Sequence, residues 1–561
     1  MSWLLRVFTA PTPVLGFALA RIALGAVLVL DVSWKLRDRA LWLDRWRAPR
    51  AAGREREGSR NVALALAWME LVAACAFALG VLTLPAALVI AACGILLARQ
   101  SPYVLYGGDA FATILVVLLA LSPCDRVLGL SALASGHFAE LDLVAPPFAG
   151  RLAQLEIVVL YALNVLVKLP ESSWRRGTAL SFVLRNPNFT RRWVPTALRG
   201  PRASKVITWG TLVLEGSFAA GLMFAPATRP LIVLAVLFHL GITLMMDVHL
   251  FGPTMMAALL TFVSGGWFDA SASDTPLEAS ALVGAIACAA YAVAIVFFEL
   301  LAPARLRDRF HAFFLRLGLN RRWHLFVGDP PCAAEVRIEL LVVERDGTVS
   351  SGAWDPRLGF APLPLRAIEL PLRHRVERLK FSLARSETAR VLFSTQLARA
   401  VRDAGPRVRA VSAAAVFLDV ARSAEDLASA PLPSVKIATL VGRGKDGVTD
   451  LEAIGALGRE TRASATLLGL VDLLLVAALD RRTSPAPRKR ALELAADLSR
   501  RLSSARAFAP AWDDAPPFPE ARAQHLGALA RALEEDVDRA LALDVVAELL
   551  RREQEPTIAH V

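Results

Sequence analysis

Cysteine is scarce in this chain, with five in 561 residues. Cys75, Cys93, Cys124, Cys288 and Cys332 include three inside apolar segments, and no CxxC or His/Cys cluster accompanies them. That spacing excludes a disulfide framework and a zinc centre, and no metal is expected. No cleavable leader is expected either. The opening "MSWLLRVFTAPTPV" has one arginine and an apolar core too short for one, so the first span is expected to do the targeting. No internal repeat recurs, and "VGRGKDG" lacks the GxxxxGK[ST] spacing of a phosphate loop.

What the chain has in abundance is apolar sequence. It is 55% hydrophobic, with a mean hydropathy of +0.47, and residues 14–302 carry most of this in blocks near bilayer-spanning length, about 20 residues. Nine spans are expected, at 14–33, 62–80, 82–98, 109–123, 151–168, 206–224, 228–247, 250–264 and 281–302. The second and third are one apolar block broken near Gly80 and Pro85, which reads as a helical hairpin. The fold class is therefore mainly α: a polytopic transmembrane helical bundle over residues 1–302.

Acids are nearly absent from particular loops. Residues 169–205 hold eight Lys/Arg against one acid, 303–323 six against one, and 35–61 nine against four. The loops at 124–150 and 264–280 lean the other way, each with three acids, the first with one base and the second with none. With nine spans, the basic segments share one side, and the positive-inside rule makes it cytoplasmic. This predicts a multi-pass protein of the inner (cytoplasmic) membrane of a bacterium, with its C-terminal part in the cytoplasm. The net charge of +12 then reflects the bilayer as partner, through anionic lipid, and no nucleic acid.

Beyond the spans, "ARLRDRFHAFFLRLGL" puts Leu306, Phe310, Phe313, Phe314 and Leu317 on one helical face and Arg305, Arg309 and Arg316 elsewhere. Residues 303–323 are thus expected to form an amphipathic helix in the headgroup layer. Residues 324–442 read as an extramembrane α+β domain. "EVRIELLVVERDGTVSSGAW" alternates around Asp346-Gly347 as a hairpin, "RLKFSLA" and "VKIATLVG" are strands, and "TQLARAVRDA" is a helix between them. From 443 to 561 the pattern is helical, with "APAWDDAPPFPEA" as a linker.

Ionisable groups at membrane depth are costly and face the bundle interior. Arg21, Asp31, Glu70, Asp109, Glu156, Asn164, Lys168, Glu215, His239, Asp247 and Glu299 are the polar candidates. A polar cavity lined by Arg21, Asn164, Glu215 and His239 is expected. Arg21 alternatively pairs with Glu70 or Glu215 simply to join helices, and Lys168, at a span end, alternatively snorkels to water. Trp174 is expected as an interfacial anchor beyond Pro170.

Four stretches occur in the order found in one family. "ARIALGAVLVLD" (20–31), "SPYVLYGGDAF" (101–111), "NVLVKLPESSWRRGTAL" (164–180) and "LFHLGITLMMDVHLFGPTMMAALL" (237–260) resemble the HTTM superfamily, the vitamin K-dependent gamma-carboxylase-like membrane proteins. That resemblance implies a reduced quinone as cofactor and Lys168 as the base that deprotonates it. The quinol anion takes up oxygen and leaves as an epoxide, and His239 matches a histidine of the same pocket. It also implies Arg21, Asn164, Asp109, Glu215 and Trp174 as cofactor-binding residues. Arg99 and Gln100 stand where the family often has a histidine, and residues 324–561 match none of the carboxylase's peptide-binding regions. With the C-terminal part on the opposite side of the membrane, this argues against carboxylation of a peptide substrate. Two other classes fit the same sequence: a membrane factor for maturation or export of a secreted peptide, and a lipid-binding scaffold.

Overall fold

The computed structural model describes residues 7–37, 58–100, 107–186, 189–191, 193–264 and 279–316 of the apolar part. Further on it describes 334–344, 349–353, Lys380, 408–419, 434–441, Leu474, 490–495 and 497–498. The chain divides into two compact units, the first running to Ala333 and the second holding the C-terminal sheet. The described part is mainly helical.

In the first unit every apolar block became a helix: α1 (Leu15–Arg37), α2 (Gly58–Leu79), α3 (Thr83–Gln100), α4 (Gly107–Ala120), α5 (Phe148–Lys168), α6 (Pro201–Gly221), α7 (Ala225–Met245), α8 (Phe251–Leu259) and α9 (Ala279–Val296). A 3-10 turn, Leu260–Ser264, prolongs α8, and a π turn, Phe297–Leu301, prolongs α9. Five segments are long and apolar enough to cross a membrane: Leu15–Arg37, Asn61–Leu79, Phe148–Lys168, Thr228–Met245 and Leu282–Leu301. Three more, in α3, α4 and α8, are apolar but shorter. Their outer faces suit lipid. On α7, Val233, Leu237, Leu240 and Leu244 recur at helical spacing and are exposed, while His239 on the other face is buried.

Small residues decide the close approaches. A Cβ on Gly25 of α1 would lie 2.6 Å from the Cβ of Ala78 on α2, so these helices meet almost backbone to backbone there. Between α2 and α3 the chain turns at Gly80, whose φ of +69° is left-handed backbone that glycine adopts freely. Pro85 sits in the first turn of α3, where its missing N–H costs no hydrogen bond. Helix α5 is the most enclosed span, 72% of it buried. A small antiparallel bridge, β1 (Thr12–Pro13) to β2 (Val144–Ala145), ties the entry of α1 to the entry of α5.

After the last span comes α10 (Ala304–Arg316), within the stretch 303–323 expected as an amphipathic helix, and its Phe310 stacks on Phe298 at 4.7 Å between ring centroids with planes 4° apart. His311 is buried beside it and meets the Glu299 carboxylate at 2.9 Å. Part of the aromatic face is therefore held by protein, while Phe313 remains exposed.

The second unit carries a four-stranded antiparallel sheet in the order β4-β3-β5-β6, with β3 Ala334–Glu344, β4 Val349–Ala353, β5 Val408–Asp419 and β6 Ser434–Val441. The hairpin expected around Asp346-Gly347 is present, with Val343 opposite Val349. "VKIATLVG" became β6. Strand β5 was not expected: its run "VRAVSAAAVFLD" has small apolar residues on both faces and lacks clean alternation, as suits a strand paired on both sides. Lys380, the one described residue of "RLKFSLA", is helical rather than extended. "TQLARAVRDA" and the linker "APAWDDAPPFPEA" lie outside the described residues.

Candidate functional site

Three side chains of α5 share one face at i, i+3 and i+7: Tyr161, Asn164 and Lys168, all buried. Facing them is the polar stripe of α6, where Thr208, Thr211 and Glu215 are buried while Val206 and Val213 point outward. Lys168 Nζ donates to both oxygens of Glu215, at 2.7 Å each. The lysine side chain is 2% exposed and the glutamate 8%. A bidentate contact of this length is a charge-assisted bond in a dry site, where breaking it exposes neither group to water.

One alternative is set aside here and one expectation corrected. Lys168 does not snorkel to water, because the segment after α5 folds over it. A one-turn helix, Ser172–Arg175, and a two-turn helix, Ala179–Arg185, pack back onto α6, with Thr208 Oγ1 accepting from the Leu180 N–H at 3.2 Å. Gly177, at φ +74°, makes this return possible, since a Cβ there would lie 2.7 Å from Lys205. Trp174 is likewise no interfacial anchor. It is 1% exposed, and its ring lies 4.6 Å from the Lys168 ammonium, a cation–π contact from below the ion pair.

One helical turn and more along α5, Tyr161 meets His239 of α7, with Oη 2.6 Å from Nε2. Phe218, Phe238 and Phe251 enclose this pair, with ring centroids 5.2 to 5.8 Å from Tyr161 or His239. Two buried polar atoms at this site have no hydrogen-bond partner: Asn164 Oδ1 and His239 Nδ1. The Asn164 amide uses its NH2 on the Leu160 carbonyl, 3.1 Å away. Close contact of α8 with α7 holds the histidine in place, as a Cβ on Gly252 would lie 2.9 Å from the His239 carbonyl.

Arg21 is not in this site. Its guanidinium donates to four carbonyls, those of Cys124 (3.0 Å), Phe77 (3.1 Å), Ala78 (2.6 Å) and Leu128 (2.6 Å). It thus satisfies the orphan C=O groups where α2 ends and a neighbouring loop turns, the structural alternative for a buried arginine. Asp109 is also elsewhere, at the first turn of α4, where its charge acts on Glu70. The arrangement brings together Lys168, Glu215, Asn164, Trp174 and His239, and leaves Arg21 and Asp109 out.

Sequence reasoning missed Tyr161. Its signal was its place, three and seven residues before Asn164 and Lys168, in a chain with four tyrosines. It also missed Lys35 and His249, which belong with Asp31 and Glu70 in a second buried group. Among the described residues no group of His, Cys, Asp and Glu is arranged to hold a metal ion. No family model, curated protein or solved structure matches the chain.

Proposed function

We propose that this is a multi-pass protein of the cytoplasmic membrane, of the HTTM type, that carries out a quinol-dependent oxidation with Lys168 as its base. In this reading helices α1 to α9 all cross the bilayer, and the basic loops and residues from 303 onward face the cytoplasm. The observation that carries it is the dry Lys168–Glu215 pair beside two unsatisfied polar atoms.

A base must be neutral to accept a proton, and a buried lysine reaches that state only if something takes its proton. Glu215, 2.7 Å away at both oxygens, is placed to do so. An arginine at this position would not allow it, since guanidinium stays protonated. Trp174, against the ammonium, stabilises the charge that returns when Lys168 accepts a proton.

The residues present fit an aromatic diol. Asn164 Oδ1 is a buried acceptor, His239 Nδ1 a second polar anchor, and Phe218, Phe238 and Phe251 supply apolar walls. A bound quinol would supply an acidic hydroxyl and two electrons for oxygen. Tyr161, by holding His239 Nε2, fixes the ring and leaves the buried Nδ1 available to a ligand. The folded-back segment 169–186 keeps bulk water from Lys168.

The test is turnover by the purified protein in lipid nanodiscs supplied with a reduced naphthoquinol and oxygen, with quinone epoxide read by mass spectrometry. The wild type should form epoxide, and Lys168→Arg and Lys168→Ala should insert normally and form none. Wild-type activity in Lys168→Arg, or no product from the wild type, refutes the reading.

A further inference from the structure

We propose that the segment joining α5 to α6 carries a binding surface for the phosphate groups of anionic phospholipid, built on Arg176, Arg185, Arg199, Arg202 and Lys205. These cations form one ridge because the two halves of the segment are tied together. Ser204 Oγ donates to the Gly177 carbonyl at 3.3 Å, and Lys205 packs against Gly177 too closely to admit a Cβ there. Ser181 Oγ and Arg185 Nη2 both donate to the Arg199 carbonyl, at 3.3 and 3.4 Å. Arg176 and Lys205 thus adjoin at one contact and Arg185 and Arg199 at the other, with Arg202 between them in the first turn of α6. Four of the five are exposed, Arg199 is partly buried, and none has a carboxylate partner among the described residues. Residues 169–205 hold one acid, Glu171, against eight Lys/Arg. Arg199 Nε is buried without a hydrogen-bond partner, and its Nη2 donates to the Val194 carbonyl at a long 3.4 Å. Like charges set side by side repel, and a phosphate accepting from several of them removes that cost.

The occupant is a lipid phosphate because of where the ridge sits. It joins the end of α5 to the start of α6, and its residues 189–191 are bound to the end of α7. The Arg191 N–H donates to the Met245 carbonyl at 3.0 Å, and the Asp247 N–H to the Phe189 carbonyl at 2.7 Å. Trp193 follows, 59% exposed. Its indole N–H donates to the Leu244 carbonyl at 2.9 Å, and its ring lies 5.1 Å from the Arg191 guanidinium. An exposed tryptophan fixed at the end of an apolar helix suits the headgroup layer, the place that Trp174 does not take. Cations at that depth meet anionic headgroups, and each adds to the attraction. The same segment covers Lys168, so lipid held on the ridge braces that cover. The inference rests on the membrane crossing proposed above and not on the chemistry at Lys168.

A fluorophore on Thr196→Cys in the cysteine-less full-length protein tests this, since Thr196 is exposed in the 3-10 turn that ends at Arg199. The protein is placed in phosphatidylcholine nanodiscs containing a small share of lipid spin-labelled near the carbonyl end of an acyl chain. That labelled lipid is either phosphatidylglycerol or phosphatidylcholine, and quenching reports which one gathers at the ridge. Phosphatidylglycerol should be preferred about fivefold or more, the effect of even one arginine near an anionic surface. Arg185→Gln/Arg199→Gln/Arg202→Gln should abolish the preference, and lysine at the same three positions should keep it. Raising the salt concentration tests the ridge without those substitutions, should the glutamine variant fail to fold, because screening should lower a preference built on exposed charge. Equal quenching by the two lipids, or a preference that survives the glutamine variant or high salt, would overturn the proposal. Loss of the preference on adding inorganic phosphate at matched ionic strength would also overturn it, since the site would then take free phosphate. Quenching by neither lipid would refute the membrane crossing itself, and this proposal with it.

Discussion

Substituting Glu215 by Leu should destabilise the bundle far more than its size suggests, and substituting Lys168 as well should undo most of the loss. The lysine side chain is 2% exposed and has both glutamate oxygens at 2.7 Å. Removing one partner of such a buried pair leaves an uncompensated charge, which costs about 3–5 kcal/mol. At ~1.4 kcal/mol per tenfold change, this is roughly two to three and a half decades in the unfolding equilibrium. In the double variant Lys168→Met/Glu215→Leu no charge remains, and replacement of a buried pair by apolar groups is typically neutral or stabilising by ~1–4 kcal/mol. The double-mutant cycle should therefore show a coupling of ~3 kcal/mol or more, the high end for residues in contact. The assay is reversible unfolding of the four proteins in mixed micelles, followed by tryptophan fluorescence. Single variants within about 0.5 kcal/mol of wild type, the range of ordinary surface changes, would mean that water reaches the pair and that the dry-site argument is wrong.

Other consequences are checked with the same preparations. Tyr161→Phe leaves His239 Nε2 buried without its 2.6 Å partner and should cost about 1–3 kcal/mol in the unfolding assay; an unchanged stability would show that the histidine turns to another group. Arg21→Lys cannot span the four carbonyls that the guanidinium reaches and should cost about 2 kcal/mol or more, whereas wild-type stability would mean that water replaces the lost bonds. Gly25→Val forces α1 from Ala78 and should destabilise by ~1–3 kcal/mol as overpacking, unless the helices slide apart freely. In a cysteine-less background, a membrane-impermeant thiol reagent added outside should label Ala272→Cys and miss Glu55→Cys. The reverse pattern would invert the proposed orientation.

Local sequence determined where the helices lie. Each apolar block became a helix within a few residues of its expected bounds, because covering twenty apolar positions depends on composition and length alone. The same holds for the turn at Gly80, the first-turn Pro85 and the hairpin around Asp346-Gly347, where single residues restrict the backbone. Strand β5 escaped because its small apolar residues on both faces carry no alternation to read. What only the tertiary structure decided is which polar side chain answers which. Lys168 and Glu215 are 47 positions apart, and Asp31 and His249 are 218 apart. Their meeting depends on how far each helix rotates and slides against its neighbours, which is set by contacts such as Gly25 on Ala78 and Gly252 on α7. The same rotation sent Arg21 to backbone carbonyls rather than to a carboxylate, and folded Trp174 beneath the lysine rather than out to the interface. A helical pattern gives the face a residue occupies, but its depth and its partner come from the packing of the whole bundle.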